Sequence, residues 1–253
     1  MLWYKSWLET RWRFLIGLVL MLCSAAGVVL LYPQVMRLMP MAKSIDVSGE
    51  IGRRIHEAVE LQHTYRGYIW SQWFRQNLSQ LATLFAVLLG TGGLLAQRSG
   101  GAALYTLSMP VSRTRLLTVR AATGLGELFV LALVPALLIP MLSPAVGESY
   151  SVVSTLVHVV CVFIACSVFY SFAFLLSTVF ADVWRPLLVA LALALVLSAF
   201  EQLFRPSIGL FRVMSAESYF RSGQLPWLGL LACVAASIVM QYAAATNIAR
   251  RDF

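Results

Sequence analysis

Charged side chains are scarce in this sequence. Only 12% of its 253 residues are Asp, Glu, Lys or Arg, while 60% are hydrophobic, and the mean hydropathy is +0.79. A soluble domain carries about 25% charged residues. The composition therefore excludes an ordinary water-soluble globule, and we expect most of the surface to contact lipid.

Acidic residues are scarcer than basic ones. The chain has 11 Asp and Glu against 19 Lys and Arg, which gives a net charge of +8. Arginines at the ends of membrane helices meet anionic lipid headgroups. The basic excess therefore predicts membrane lipids as partners and no nucleic acid.

Motifs for chemistry are also missing. The glycine-rich stretch GTGGLLAQRSGG (90–101) is not followed by the Lys-Ser or Lys-Thr pair of a phosphate-binding loop, and the chain has no zinc motif HExxH and no nucleophile elbow GxSxG. The four cysteines all lie in apolar runs, at spacings that indicate neither a disulfide framework nor a metal site; they are Cys23, Cys161, Cys166 and Cys233. We expect no catalytic residue, no metal and no cofactor in this chain.

Long hydrophobic runs are abundant. A helix needs about 20 apolar residues to cross a bilayer, and its backbone polar groups must be bonded internally. Six runs are long enough: 14–32, 78–96, 116–142, 153–180, 186–204 and 226–248. They predict an all-α integral membrane protein with six transmembrane helices, forming a single domain over residues 1–253 without an ATPase domain.

Basic residues near both chain ends predict the orientation. Arg11, Arg13, Arg250 and Arg251 flank the first and last runs, and Lys and Arg accumulate on the cytoplasmic side of short loops. We expect both termini to be cytoplasmic.

The first 13 residues have an amphipathic pattern. Trp3, Trp7 and Trp12 alternate with polar residues at helical spacing, and tryptophan is enriched at the membrane–water interface. The pattern predicts an N-terminal interfacial helix in the headgroup layer. It is either a plain anchor or a lever that also contacts a cytoplasmic partner.

A basic, proline-containing stretch, TLSMPVSRTRLLTVR (106–120), separates the second and third runs. Leu104 and Leu107 fit a short helix that Pro110 ends, because proline lacks the amide and clashes with the preceding turn. A new helix begins after it, with Ser112 as a cap. The stretch predicts a short cytoplasmic helix that docks a soluble domain, with Arg113 and Arg115 facing lipid phosphates or acids of that partner.

The segment SMPVSRTRLL resembles the hallmark of the permease subunits of type-2 ABC exporters. The N-terminal amphipathic helix, the long loop after the first run, the LLSTVFADVWRPL corner and the basic ending NIARRDF also match, so the resemblance covers essentially the whole chain. Many members carry acidic residues just before the short helix, where this chain has Gln97, Arg98 and Ser99.

The resemblance implies a multi-pass protein of the cytoplasmic (inner) membrane of a bacterium. It implies a non-catalytic permease that works with two copies of a separate P-loop ATPase, which bind ATP and Mg, and with a second permease copy, identical or a close paralogue. Residues 102–115 would couple the subunits. The coupling residues would be Leu104, Tyr105, Leu107, Met109, Pro110, Arg113 and Arg115.

Polar residues in or near the apolar runs are candidates for lining a substrate path, since each is costly in lipid unless paired or wetted. They are Gln72, Gln76, Asn77 and Glu127. The alternatives are a structural role for Glu127 and interfacial solvation for the other three. Glu127 lies seven residues beyond Arg120, about 10 Å along a helix, so we do not expect the two to pair directly.

Three further expectations concern single contacts. His158 is expected to make a hydrogen-bonded helix contact, with a proton relay as the alternative. Glu201 is expected to pair with Arg205 at i+4. Small residues let membrane helices approach closely, which favours the first and fifth runs at the contact between two copies; these residues are Gly17, Ala25, Ala26, Ala190, Ala192 and Ala194.

Two rival functions fit six apolar helices. One is a membrane assembly or scaffold protein that transports nothing. The other is an intramembrane enzyme, which would need clustered reactive groups, and His56, His63 and His158 do not supply such a cluster.

Overall fold

A computed structural model describes residues 2–43, 60–91, 113–180, 182–204 and 209–249, and every regular element within these ranges is helical. The helices are α1 (Leu2–Lys43), α2 (Tyr65–Ile69), π1 (Trp70–Leu78, a π-helix), α3 (Ser79–Gly90), α4 (Arg113–Leu142), a 3₁₀ turn (Ser143–Val146), α5 (Val152–Val179), α6 (Trp184–Phe204), α7 (Leu210–Met214), α8 (Glu217–Ser222) and α9 (Trp227–Ala249). The all-α prediction is confirmed.

Five helices are long and apolar enough to cross a membrane. The stretches are Leu2–Arg37, Arg115–Val146, Val152–Val179, Trp184–Phe204 and Trp227–Ile248. They agree with five of the six predicted runs and are compatible with a multi-pass membrane protein. Large apolar side chains are exposed on the outside of α1, α6 and α9, which is compatible with contact to lipid.

The remaining predicted run, 78–96, is described only as far as Thr91. It belongs to an uninterrupted helical segment, α2–π1–α3, which we call the rod. Because π1 and the start of α3 are rich in polar residues, the described part of the rod is not among the five apolar spans. Six transmembrane helices therefore stay a prediction.

The N-terminal segment differs from the sequence expectation. Residues 2–13 are helical, but α1 continues from Leu2 to Lys43 without a break. No proline, glycine or capping residue separates the amphipathic segment from the first apolar run, so nothing stops the helical hydrogen bonding between them. The expected separate interfacial helix is the first part of a longer one.

Two groups of polar contacts mark the two ends of the bundle. At the proximal end, Arg13 of α1 donates to the Leu88 carbonyl oxygen of the rod at 2.9 Å, and Asn247 of α9 donates to the Thr178 hydroxyl of α5 at 3.0 Å. At the distal end, Tyr65 of the rod and Ser143 after α4 share a hydrogen bond of 2.7 Å. Hence α1 and α4 run from proximal to distal, whereas the rod, α5 and α9 run back.

The centre of the bundle is α5. It packs against α9, the rod, α4 and α7, and 61% of its most apolar stretch is buried, compared with 11% of that of α6. The helix pair α7–α8 packs on the rod and α5, with the Thr83 hydroxyl 3.9 Å from the Met214 sulfur. Ala216 between α7 and α8 is fully buried and has a φ of 48°, a left-handed conformation that costs a non-glycine residue about 1–2 kcal/mol.

Small residues in α1 and α6 serve packing within the chain. A Cβ added at Gly17 would lie 2.8 Å from the Phe85 ring of the rod, and Ala25, Ala190 and Ala194 are buried in the same chain. We expected these small residues to allow close contact between two copies. At these four positions they instead allow close packing of helices within one copy. A second copy stays a prediction.

Candidate functional site

The predicted coupling segment is mostly outside the described residues. This applies to Leu104, Tyr105, Leu107, Met109 and Pro110. The structure does place its end, because α4 begins at Arg113 and Arg115 lies exposed in the first turn. The segment thus leads directly into the proximal end of α4.

The N-terminal segment of α1 has one exposed face and one buried face. Trp3, Trp7 and Trp12 are exposed, which is compatible with the predicted anchor role, while Ser6 and Thr10 are buried. Side chains four apart share one face of a helix, so Ser6 and Thr10 form the inward stripe. This segment is therefore packed on the bundle along that stripe.

A cluster of five polar side chains joins this segment to the other helices. We call it the proximal polar cluster; its members are Glu9, Thr10, Arg13, Arg120 and Glu127. Glu9 forms an ion pair with Arg120 of α4 at 3.2 Å, and the Thr10 hydroxyl lies 2.5 Å from Oε1 of Glu127. With the bond from Arg13 to the Leu88 carbonyl, the cluster connects α1 to both α4 and the rod.

Glu127 is held inside the chain. It is 6% exposed, one carboxylate oxygen faces Thr10, and the other, Oε2, is buried without a hydrogen-bond partner. Arg120 pairs with Glu9 rather than with Glu127, in line with the seven-residue spacing. The burial of Glu127 against α1 favours the structural alternative over a direct path-lining role.

Tyr170 connects α5 to the same region. Its hydroxyl lies 3.4 Å from the carbonyl oxygens of Arg120 and Ala121. A Cβ at Gly124 would lie 2.3 Å from that hydroxyl, so only glycine allows α4 and α5 to approach this closely. A shift of the first turns of α4 would therefore reach α1 through Arg120 and α5 through Tyr170.

The distal end contains a stack of aromatic and cationic groups. Trp70 of π1 and Phe220 of α8 stack with ring centroids 4.3 Å apart. Arg66 lies over Phe220 at 5.4 Å and Arg75 over Trp70 at 5.5 Å, and the Trp70 indole donates to the Ser215 carbonyl at 2.9 Å. These contacts fasten α7–α8 to the rod.

The candidate path residues of the rod lie on its less buried side. Gln76 is exposed, and Gln72 and Asn77 are half-buried. They belong to a nine-residue π-helix, a rare conformation that often marks functional sites. The sequence carries no clear signal for a π-helix, since propensities do not separate it from an α-helix.

His158 makes the helix contact that we expected. It is 1% exposed, its Nδ1 lies 2.7 Å from the Ser154 carbonyl oxygen, and its ring packs on Phe74 at 4.3 Å. A carbonyl can only accept, so Nδ1 carries the proton in this contact. The structural interpretation fits better than a relay.

Glu201 has a partner that the sequence did not indicate. Its carboxylate accepts hydrogen bonds from the backbone amides of Phe211 and Arg212 at 3.0 and 3.3 Å, so it binds the start of α7. The expected partner, Arg205, lies outside the described residues.

Glu217 is a second residue whose contacts the sequence analysis did not predict. It pairs with Arg212 at 3.0 Å and with Arg221 at 2.9 Å. Burial alone would raise the pKa of Glu217, but the hydrogen bonds and positive charges of the two arginines outweigh it and hold the pKa below its usual value. The i,i+4 spacing of Glu217 and Arg221 was the available sequence signal.

In the part of the chain that the structure describes, no group of three or more His, Cys, Asp or Glu side chains is placed so that it could hold a metal ion. Comparisons of this chain with protein-family models, with curated proteins and with solved structures found no match.

Proposed function

We propose that this chain is the permease subunit of an ATP-driven exporter of the type-2 ABC class. The observation that carries the proposal is the segment SMPVSRTRLL (108–117), placed between the second and third apolar runs and leading into α4. The chain would supply the path across the membrane, while two copies of a separate P-loop ATPase supply the chemistry. A second permease copy would complete the path.

The contacts at the proximal end support a coupling role for this segment. The predicted docking helix is continuous in sequence with the first turns of α4, and Arg120 lies five residues beyond Arg115. Arg120 contacts Glu9, and Tyr170 contacts the Arg120 carbonyl. A push on the segment would thus be transmitted to α1 and α5 by bonded groups rather than by a flexible loop.

The direction of the helices supports the predicted topology. α1 starts and α9 ends at the proximal end, where α4 also begins. Both termini and the coupling segment would then face the same side of a membrane. On the proposed function this side is the cytoplasm of a bacterial cell.

Purification of the tagged chain from its native membranes tests the proposal. We expect a P-loop ATPase to co-purify, and Leu107→Asp to abolish its recovery, because a charge would be buried without a partner. Ser99→Asp is the matched control, since it adds the same charge to the same loop outside the predicted helix. Full recovery with Leu107→Asp would contradict the docking role.

A further inference from the structure

Three glutamines of the rod lie on one side of it. Gln72, Gln76 and Gln80 are spaced four apart, within and just after π1. Gln76 and Gln80 are exposed and Gln72 is half-buried, whereas the intervening Trp73, Phe74, Leu78 and Ser79 are buried. We call this side of the rod the amide face.

The amide face lies alongside the membrane-spanning part of α5. Phe74 packs on His158, two turns into α5, and a Cβ at Gly90 would lie 2.6 Å from the Tyr170 carbonyl oxygen. Gln76 and Gln80 lie between these two levels. Since α5 is an apolar span of 28 residues, these glutamines are at the depth of its distal half, well inside the ends of the helix.

The amides of this face have no hydrogen-bond partner among the residues that the structure describes. Within the described residues and their contacts, the side chains of Gln72, Gln76 and Gln80 make no hydrogen bond. An amide transferred into a hydrocarbon without a partner costs several kcal/mol, and three of them would weigh against insertion of the rod. Water in contact with the face removes this cost.

The charges on the described part of the rod itself have one sign, and the acid of the neighbouring α8, Glu217, is paired with Arg212 and Arg221. Arg66 and Arg75 are exposed on the same rod and are held in place by the rings of Phe220 and Trp70. From Leu61 to Thr91 the sequence contains no Asp or Glu. Positive groups along a low-dielectric cleft concentrate anions and repel cations.

We propose that the amide face lines a hydrated path through the distal half of the membrane, and that the path serves a polar solute with a net negative charge. The glutamines would exchange hydrogen bonds with the solute and its water, and Arg75 and Arg66 would supply the charge preference. That the path is an export route rests on the proposed function. That the path is hydrated and prefers anions does not depend on that function.

Cysteine labelling in membranes that have been opened to reagents from both sides tests the proposal. Gln76→Cys and Gln80→Cys are placed in a chain whose exposed Cys23 is replaced by alanine. Each is treated with a negatively and a positively charged methanethiosulfonate. Leu195→Cys, at an exposed apolar position of α6, and Ala82→Cys, at a buried position of the rod, are the matched controls.

We expect both glutamine positions to react while the two controls stay unlabelled. Relative to a small free thiol, the anionic reagent should be favoured over the cationic one by about tenfold, the low end of the enrichment in charged clefts. Arg75→Gln should bring this ratio back towards that of the free thiol. A preference that Arg75→Gln leaves unchanged would contradict the assigned role of Arg75.

Two results would overturn the proposal. If the glutamine positions are as unreactive as Leu195→Cys, the face is covered by lipid or protein. If they react but prefer the cationic reagent, the path is wet and the solute class is wrong. Neither result depends on an ATPase. Failure of an ATPase to co-purify would contradict the exporter function but would not affect the proposal that the amide face is hydrated and prefers anions.

Discussion

At the proximal end of the bundle, the N-terminal part of α1 is fastened to α4 by an ion pair and a short hydrogen bond. At the distal end, α7–α8 are fastened to the rod mainly by stacked rings. When a buried ion pair is broken, each partner is left as an uncompensated charge, so the loss of stability is large and abrupt. A ring stack loses energy gradually as contact area decreases.

Because the proximal contacts are ionic and the distal contacts are mainly aromatic, we expect the two ends to have different roles in the proposed exporter. The proximal cluster has discrete bonded partners next to the predicted coupling segment, which suits the transmission of a push. The distal stack has a large buried area, which suits a scaffold that keeps the amide face and Arg75 in position. Three substitutions probe this comparison.

The largest effect is expected for Trp70→Ala at the distal end. It removes a fully buried side chain, the stack on Phe220 and the hydrogen bond to Ser215, and should lower the free energy of unfolding by about 4 kcal/mol. Trp12→Ala is the control, because Trp12 is exposed and should change stability by less than about 0.5 kcal/mol. Thermal unfolding of the purified protein in detergent measures both, and equal shifts would contradict the distal scaffold.

A somewhat smaller effect is expected for Arg120→Met at the proximal end. It removes the ion-pair partner of Glu9 and should cost about 3 kcal/mol, the low end for breaking a buried ion pair, because Glu9 is still 26% exposed. The double variant Glu9→Leu with Arg120→Met should recover part of the loss, since no unpaired charge remains at Glu9. If the double variant unfolds as the sum of two independent losses, the pair is not the fastening contact.

The smallest effect concerns pH and α8. Because the pKa of Glu217 is lowered in the folded state, its contribution to stability is present above the pKa of the unfolded chain and is lost as pH falls through the folded-state pKa. The loss should be less than about 1 kcal/mol, since Arg212 and Arg221 are partly exposed. Unfolding followed across the acidic range should therefore decline more steeply for the native chain than for Glu217→Gln, and identical profiles would contradict the assigned pairing.

Helix content was predictable because hydrophobic run length is a local property. Five runs form helices that are long and apolar enough to cross a membrane, and a helix satisfies its backbone polar groups internally, as lipid would require. The continuity of α1 could not be read from the pattern of Trp3, Trp7 and Trp12, since that pattern fixes which side faces lipid and not whether the helix bends. The four-residue spacing of Ser6 and Thr10, which places both on one face of a helix, was the signal that the sequence offered for the inward stripe.

The polar contacts were less predictable because they join residues far apart in the chain. Thr10 and Glu127 are separated by 117 positions, and only the packing of α1 along α4 brings them together. Glu201 was assigned a local i+4 partner, but it binds backbone amides ten residues away. The absence of a direct Glu127–Arg120 pair was predictable, since helical rise alone decides it.

The permease function is tested most directly by measuring ATP hydrolysis by the purified chain alone and by the complex recovered from native membranes. We expect no hydrolysis by the chain, because it carries no phosphate-binding loop, and hydrolysis by the complex that is lost when the P-loop lysine of the partner is substituted. Sustained turnover by the pure chain, abolished by a point substitution within it, would contradict the permease function.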